Sequence, residues 1–586
     1  MSNHLVPFLA SWKSLLAVVL LACLSSYPNL LELYSNKSAT YALCSSEGNK
    51  IYTVDQHDIQ VQCIVVRNNR IADVGSLGNI TSHWNRQSLW HLIFRSSLDV
   101  RFIPSGAIVV PGFSDSHAHI LEYGASKVLP LEGTKTIEET VARVREFVLA
   151  NPDIQNDTSR YIVGGGWDHT IWSTSRWPTA ADLEADPIVR NRPIVLQSKD
   201  CHALWISAKA LEASSPLPDE EIEGGFIVRD DHGRPTGVLI DNAQSLVDQP
   251  EPSHSDILRQ FNLAMKDALS LGLTSIHDAG LKPESLQFFE SLEAKNALPL
   301  RVYGMTYYDE SKPYNGNTTR KIYGRRLTAR SIKIFADGAL RTSGAALYEP
   351  YADNPSTNGV MRIDPEVLKD IIPKYLRDGW QVNVHAIGDR ANGIVLDAFE
   401  AALSGANVSA LRPRLEHAQL LSEADMHRLG KLGVIVSVQP THVIDDMWYA
   451  EERLGPDRVK GLYAFRSIVD SGALLTLGSD FPVASSNPLA TFYAAITRLS
   501  FDGVSPHGPE GWHPEQRLSR AEALRGLTIN PAYASFTENI RGSLEIGKLA
   551  DFVVLSRDIM SIPVGNILKT QVLATVIDGK SVYGAI

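Results

Sequence analysis

The chain has 586 residues, of which 44% are hydrophobic, and carries a formal net charge of −11. That length exceeds one ordinary compact domain and suits a large barrel with an accessory domain. The ordinary composition, without low-complexity tracts, excludes a disordered or fibrous chain. The negative charge argues against a nucleic-acid partner, which needs a basic face.

At the N-terminus, Lys13 precedes the apolar run Leu15–Leu24. The run is short for a membrane span and suits the core of a signal peptide, with small residues Cys23 and Ser25 at a cleavage site. Leu5–Ala10 is also apolar, so residues 1–25 read as a signal peptide or a retained signal anchor. Both readings place the protein in the secretory pathway, secreted or membrane-anchored. N-x-S/T triplets at Asn36, Asn79, Asn156, Asn317 and Asn407 fit that route. Cys44 and Cys63 either pair, leaving Cys201 free, or stay as buried thiols. No C-x-x-C is present.

Residues 26–48 read as a polar linker. Ile51–Val54, Cys63–Arg67 and Arg70–Val74 look like short strands, with Asn68-Asn69 as a turn. Residues 79–105 carry no firm pattern. Ile108–Val110, a β-branched run closed by Pro111-Gly112, reads as a buried first barrel strand within residues 106–123. Residues 124–265 read as a large insertion over the barrel mouth. From Gly272 the pattern is regular across residues 266–538. Apolar runs at Leu273–Asp278, Leu300–Tyr307, Ser331–Phe335, Gln381–His385, Arg412–His417, Val434–Val438 and Leu474–Asp480 complete a set of eight. Amphipathic helices at Glu284–Lys295, Pro365–Leu376, Asn392–Ala402 and Glu423–Leu432 fall between them. Such alternation predicts an α/β fold, a (β/α)₈ barrel. Residues 539–586 return to β character in Phe552–Leu555, Val572–Ile577 and Lys580–Tyr583, with Asp578-Gly579 as a hairpin turn. They complete the small β-unit begun at residues 49–105.

The strand ends carry the chemistry. His117 and His119 follow strand 1, two apart, so an extended segment aims both imidazoles at one ion. Lys333 lies on strand 4, His385 on strand 5, His417 on strand 6 and Asp480 on strand 8. Any one has an ordinary explanation. Four histidines and a carboxylate at the C-terminal end of one barrel suit a catalytic zinc.

The motifs PGFSDSHAHI, GGGWDHTIW, SKDCHALWIS, GVLIDNA, TSIHDAG, IKIFADGAL, NVHAIGD, RLEHAQ, GSDFPV and GSLEIGKLADFVVL occur in that order over residues 50–586. In these the chain resembles the amidohydrolase superfamily, in its amidohydrolase-3 branch of YtcJ-like and N-substituted formamide deformylase-like proteins. The resemblance implies a metal-dependent barrel hydrolase with a composite β-sandwich from both chain ends. It implies His117, His119, Lys333, His385, His417 and Asp480 as the metal set, with one or two zinc ions, two if Lys333 is carboxylated. His202 and Trp167 lie in shared motifs and are candidates to line the substrate cleft, as is Asp278 at the end of strand 2. One departure is Arg341, two places earlier than the branch pattern G-S-R-T-A-A-L, which leaves the substrate contacts there open.

The expected activity is hydrolysis of an amide or other C–N bond in a small molecule of the N-formyl or N-acyl amine type, with Asp480 as proton shuttle. A ring-amidine deaminase is the alternative enzyme. Sequences of that kind resemble H-A-E at strand 5 and lack the strand-4 lysine, whereas this chain reads His385-Ala386-Ile387. A non-catalytic scaffold on the same fold is the alternative class, and it should have lost ligands. Homo-oligomerisation stays open.

Overall fold

The computed structural model describes residues 40–86 and 98–586, apart from 175, 221, 310, 311 and 313. The signal-peptide or anchor segment and most of the linker therefore lie outside the described residues. No helix among the described residues is long and apolar enough to cross a membrane.

Eight parallel strands form the barrel: β1 (Phe113–Ala118), β2 (Leu273–Leu281), β3 (Arg301–Tyr307), β4 (Leu327–Phe335), β5 (Gln381–Ala386), β6 (Arg414–His417), β7 (Ile435–Val438) and β8 (Leu475–Leu477). They pair in chain order from β1 to β8. The last seam, between β8 and β1, is bridged beyond the end of β8. Asp480 N donates to His117 O at 2.7 Å, and Asp115 accepts from Ser479 N at 3.0 Å and Ser479 Oγ at 2.6 Å. The barrel is thus drawn shut by the residues flanking the candidate ligands.

The first barrel strand is not the one expected. Ile108–Pro111 pairs with Phe552–Leu555 and, at Ile51, with Ile51–Tyr52, so it belongs to the sandwich. After Gly112 the chain turns into β1, whose six residues are all buried although most are polar or small. An apolar run marks burial, not the sheet that provides it. Gly112 itself is required, because a Cβ there would lie 2.3 Å from Thr274 Oγ1.

The sandwich has two sheets. One orders Lys580–Gly584, Val572–Ile577, Phe552–Leu555, Ile108–Pro111, Ile51–Tyr52 and Gln60–Val61, so it draws on both chain ends. The other contains Arg70–Gly75, Cys63–Arg67, Thr40–Cys44 and Asp99–Phe102. Tyr41, Leu43, Ile64, Val66, Val109, Phe552 and Val576 share their core. Thr40–Cys44 corrects the linker reading over its last residues, and Cys44 pairs with Cys63 in a disulfide. Within 79–105 the described chain forms the helix Leu77–Arg86 and the strand Asp99–Phe102.

Between β1 and β2 stands a five-stranded sheet with its own core, which includes Trp167, Trp205, Leu196 and Ile240. The expected insertion, residues 124–265, overruns it at both ends. Ile120–Val128 and His254–Ser270 are helices that pack on each other against the barrel. Their approach is so close that a Cβ on Gly124 would lie 2.1 Å from Gln260 O. Helical periodicity reads alike in an insertion and in a barrel helix.

Candidate metal centre

β1 delivers His117, and His119 follows as the N-cap of Ile120–Val128. β4 delivers Lys333, β5 His385 and β6 His417, while Asp480 follows β8. The structure brings all six together. His117 Nε2 is 3.3 Å from Lys333 Nζ and 3.5 Å from Asp480 Oδ1. His119 Nε2 is 3.2 Å from the same Asp480 oxygen. The His417 ring centroid is 4.6 Å from that of His117 and 4.4 Å from that of His385. One ligand atom from each of His117, His417 and Asp480 lies within 4.8 Å of the others. His417 (φ +69°) and Asp480 (φ +59°) hold left-handed backbone conformations, a strain that persists where surrounding structure imposes it.

The donor set fits a divalent metal. Both ring nitrogens of His385 and Nδ1 of His417 are buried without a hydrogen-bond partner, as is Asp480 Oδ1. Buried polar atoms left bare are costly unless something else satisfies them. Burial, with Lys333 nearby, pushes the His117 imidazole down to about 4, and burial pushes those of His385 and His417 well below their usual range. All three rings are therefore neutral at neutral pH, as ligation demands. Burial also lowers the Lys333 amine to about 8. Burial would raise the Asp480 carboxyl, but His117 and His119 outweigh it and hold it well below the usual carboxylate range.

His202 lies in the cleft beside His385, with ring centroids 5.7 Å apart. Its Nδ1 is 2.5 Å from the buried Asp241 Oδ1. Trp167 does not reach the cleft. Its indole is wholly buried in the insertion core, stacks on Trp172 and donates Nε1–H to Leu196 O at 2.8 Å. An apolar ring whose one donor is already satisfied is packing, which corrects the substrate-contact expectation. Asp278 accepts from Ile120 N at 3.1 Å at the start of the helix after β1, while it stands close enough to His119 and Lys333 to feel their charge. Arg341 does line the cleft. It donates to Asp168 at 2.5 Å and Asp446 at 3.3 Å, clamping insertion to barrel. The larger cavity, about 740 Å³, lies elsewhere, along Glu220, Ile222–Ile227, Arg229 and Met361, and contains none of these ligands.

A profile of the amidohydrolase family matches residues 105–583. The chain belongs to that family. Among its relatives are Protein LONG AFTER FAR-RED 3 of Arabidopsis thaliana, at 32% identity over 91% of this chain and 90% of that one, and the putative amidohydrolase YtcJ of Bacillus subtilis, at 30% over 92% and 98%. N-substituted formamide deformylase of Arthrobacter pascens is 27% identical over 90% and 96%. An uncharacterised metal-dependent hydrolase from Pyrococcus horikoshii superposes with a TM-score of 0.70, at 27% identity over 90% of this chain and 99% of that one. The protein is therefore a hydrolase of the amidohydrolase family, with the recognised YtcJ-like and deformylase-like relatives.

Within this amidohydrolase, several site residues escape sequence reasoning. Glu416 accepts from His117 Nδ1 at 2.6 Å and pairs with Arg414. Against its burial, those two hold its carboxyl low, so it stays ionised. Asp337 accepts from Ala346, Ile387 and Gly388 backbone N–H groups and lies 3.5 Å from His385 Nε2. His442, four residues past β7, faces Asp480 Oδ2 at 3.8 Å. A charged residue inside an apolar strand was the available signal for Glu416. Asp241 lies within the GVLIDNA motif, but its partner His202 is distant in sequence, and for His442 no local signal exists.

Proposed function

We propose that the protein is a zinc-dependent hydrolase of amide or other C–N bonds in small N-formyl or N-acyl amines. The observation that carries this is the cluster of four histidines around the ionised Asp480: ring nitrogens of His117 and His119 meet Asp480 Oδ1, while His385 and His417 keep buried ring nitrogens without a partner. Similarity to an N-substituted formamide deformylase supports the substrate class. The His-Ala-Ile run at β5 and the lysine on β4 weigh against ring-amidine deamination.

Held by His117, His119, His385 and His417, zinc would polarise a carbonyl and activate water. The residues do the remainder. Asp480 accepts a proton within hydrogen-bond reach and returns it to the leaving nitrogen, which amide cleavage needs because an amide anion leaves poorly. His202, held by Asp241, presents its free ring edge to the substrate. Arg341 fixes the insertion over the cleft. Lys333 is suited to take up CO₂ as a carbamate, because its buried surroundings favour the neutral amine and an ammonium offers no lone pair. In that form it would be a ligand able to hold a second metal, and Lys333→Ala should take the metal count from two towards one per chain. An unchanged count and rate in that variant would remove the carbamate.

The test of the reaction is a screen of N-formyl amines, N-acyl amino acids and small amides with purified, zinc-loaded protein, reading amine release. Ammonia release from ring amidines in place of amine release would favour the deaminase. We also propose a secretory route. The Cys44–Cys63 disulfide and the exposure of Asn79, Asn156, Asn317 and Asn407 support it. Expressed in a eukaryotic host, the protein should lose mass on glycosidase treatment, and an unshifted cytosolic product would count against the route.

A further inference from the structure

A second cluster of metal-type donors stands outside the barrel mouth. Glu451 lies on the helix Ala450–Arg458, and His507 and His513 lie in the loop between the helices Pro488–Thr497 and Arg520–Gly526. Glu451 Oε1 is 2.5 Å from His507 Nε2 and 3.9 Å from His513 Nε2. The two imidazole centroids are 4.8 Å apart. One donor atom from each of the three falls within 4.8 Å of the other two.

A surface Glu–His pair accounts for the His507 contact alone. It does not account for His513, whose Nε2 is buried without a partner and faces the same Glu451 oxygen from beyond hydrogen-bond range. The backbone holds His513 there. Its φ is +47°, and the preceding Trp512 carbonyl accepts from the buried Arg498 Nε at 2.5 Å. Two outer contacts have the form that orients metal ligands. Glu515 Oε1 lies 3.4 Å from His513 Nδ1, and Trp512 Nε1 donates to Glu451 Oε1 at 3.2 Å. With bonds of about 2.0–2.1 Å, tetrahedral zinc sets its donors roughly 3.4 Å apart. Small side-chain shifts about the observed 2.5 and 3.9 Å reach that spacing.

We propose that Glu451, His507 and His513 form a second divalent-metal site, of the zinc class and distinct from the barrel centre. Two imidazoles and one carboxylate favour zinc-like ions over calcium or magnesium, which prefer oxygen ligands. The partly exposed side of the cluster leaves the fourth position to water. The ion would clip the 498–519 loop to the helix that begins directly after Tyr449, which with Asp446 belongs to the cleft wall.

The test uses tag-free, full-length protein loaded with zinc and dialysed free of excess. Bound zinc is counted by elemental analysis beside the melting temperature. His507→Gln combined with His513→Gln should lower the content by one zinc per chain and shrink the zinc-dependent rise in melting temperature. His385→Asn should lower zinc separately and additively, so failure of the barrel assignment and failure of this one are told apart. Equal zinc content in wild type and the double variant would overturn the proposal. Should the double variant fold poorly, zinc-edge anomalous scattering from crystals of the zinc-loaded wild type decides. A peak between the three side chains is expected, and its absence would end the idea.

Discussion

At Asp480 one carboxylate oxygen meets ring nitrogens of His117 and His119, while its own backbone N–H closes the barrel seam. Ligand and shuttle roles separate in one variant. As a shuttle, Asp480→Asn should retain much of the metal held by the histidines yet lose about 10²–10⁴-fold in rate. Rate and metal content measured on the same sample decide, and full activity restored by excess zinc would leave Asp480 as a ligand alone. Glu416 acts one step back. By accepting the His117 Nδ1 proton it fixes the tautomer that turns a bare Nε2 to the cluster. Glu416→Gln should weaken metal affinity or turnover by about 10–100-fold, and it should also lower Tm because the buried Arg414 loses its charge partner. Metal titration followed by activity would check it, and wild-type affinity would show that Arg414 and packing hold the ring unaided.

At the scale of elements, the strand Thr40–Cys44 shows what a disulfide adds to a small sheet. It pairs antiparallel with Cys63–Arg67, and Cys44 and Cys63 face each other in register. The bond closes a short loop, with a sequence separation of 19. Cys44→Ser should cost about 3 kcal/mol, mainly by freeing the unfolded chain. Denaturant melts with and without reductant would read this. A wild type equally stable in reductant would show that pairing, not the crosslink, holds the strand. The 254–270 helix illustrates the opposite case, where local signals suffice. Ser253 and Asp256 make a reciprocal capping box at its start.

Across the whole molecule, the hairpin Asp578-Gly579 joins sandwich to barrel. Arg301, opening β3, donates to Asp578 at 2.6 Å and to Asp551 at 2.8 Å, and Arg326 donates to Asp578 at 2.7 Å. Burial pushes the Asp578 carboxyl up, but Arg301 and Arg326 outweigh it and hold it below its usual value. The folded state therefore binds fewer protons than the unfolded chain as pH falls past about 3.9. The contribution of Asp578 is fully present above that value and is lost as pH drops through the lower, folded one. Asp578→Asn should destabilise by about 1.5–3 kcal/mol at neutral pH. The gap from wild type should stay level down to about pH 5 and narrow below about pH 4. A gap that widened in acid would reverse the sign and remove the ion-pair account.

Much of this architecture is legible in the chain itself. Apolar runs alternating with amphipathic helices announce the barrel from Leu273 onward, because period and spacing are local properties. Cys63–Arg67, Phe552–Leu555 and Val572–Ile577 form as strands over the expected residues. Ile108–Val110 marks the limit. Its run predicts a buried strand, yet pairing with Phe552–Leu555, far along the chain, puts it in the sandwich. β1, carrying Ser114, Asp115, Ser116 and His117 into a fully buried wall, has no apolar pattern to announce it. The sequence alone determined that histidines, a lysine and an aspartate stand at strand ends, since residue type and spacing are written locally. Only the tertiary structure decided that Trp167 packs inward, that Asp278 holds a helix N-terminus, and that Asp241 and Glu416 steady His202 and His117. Those outcomes depend on which distant groups share a buried space, and sequence distance carries no record of that.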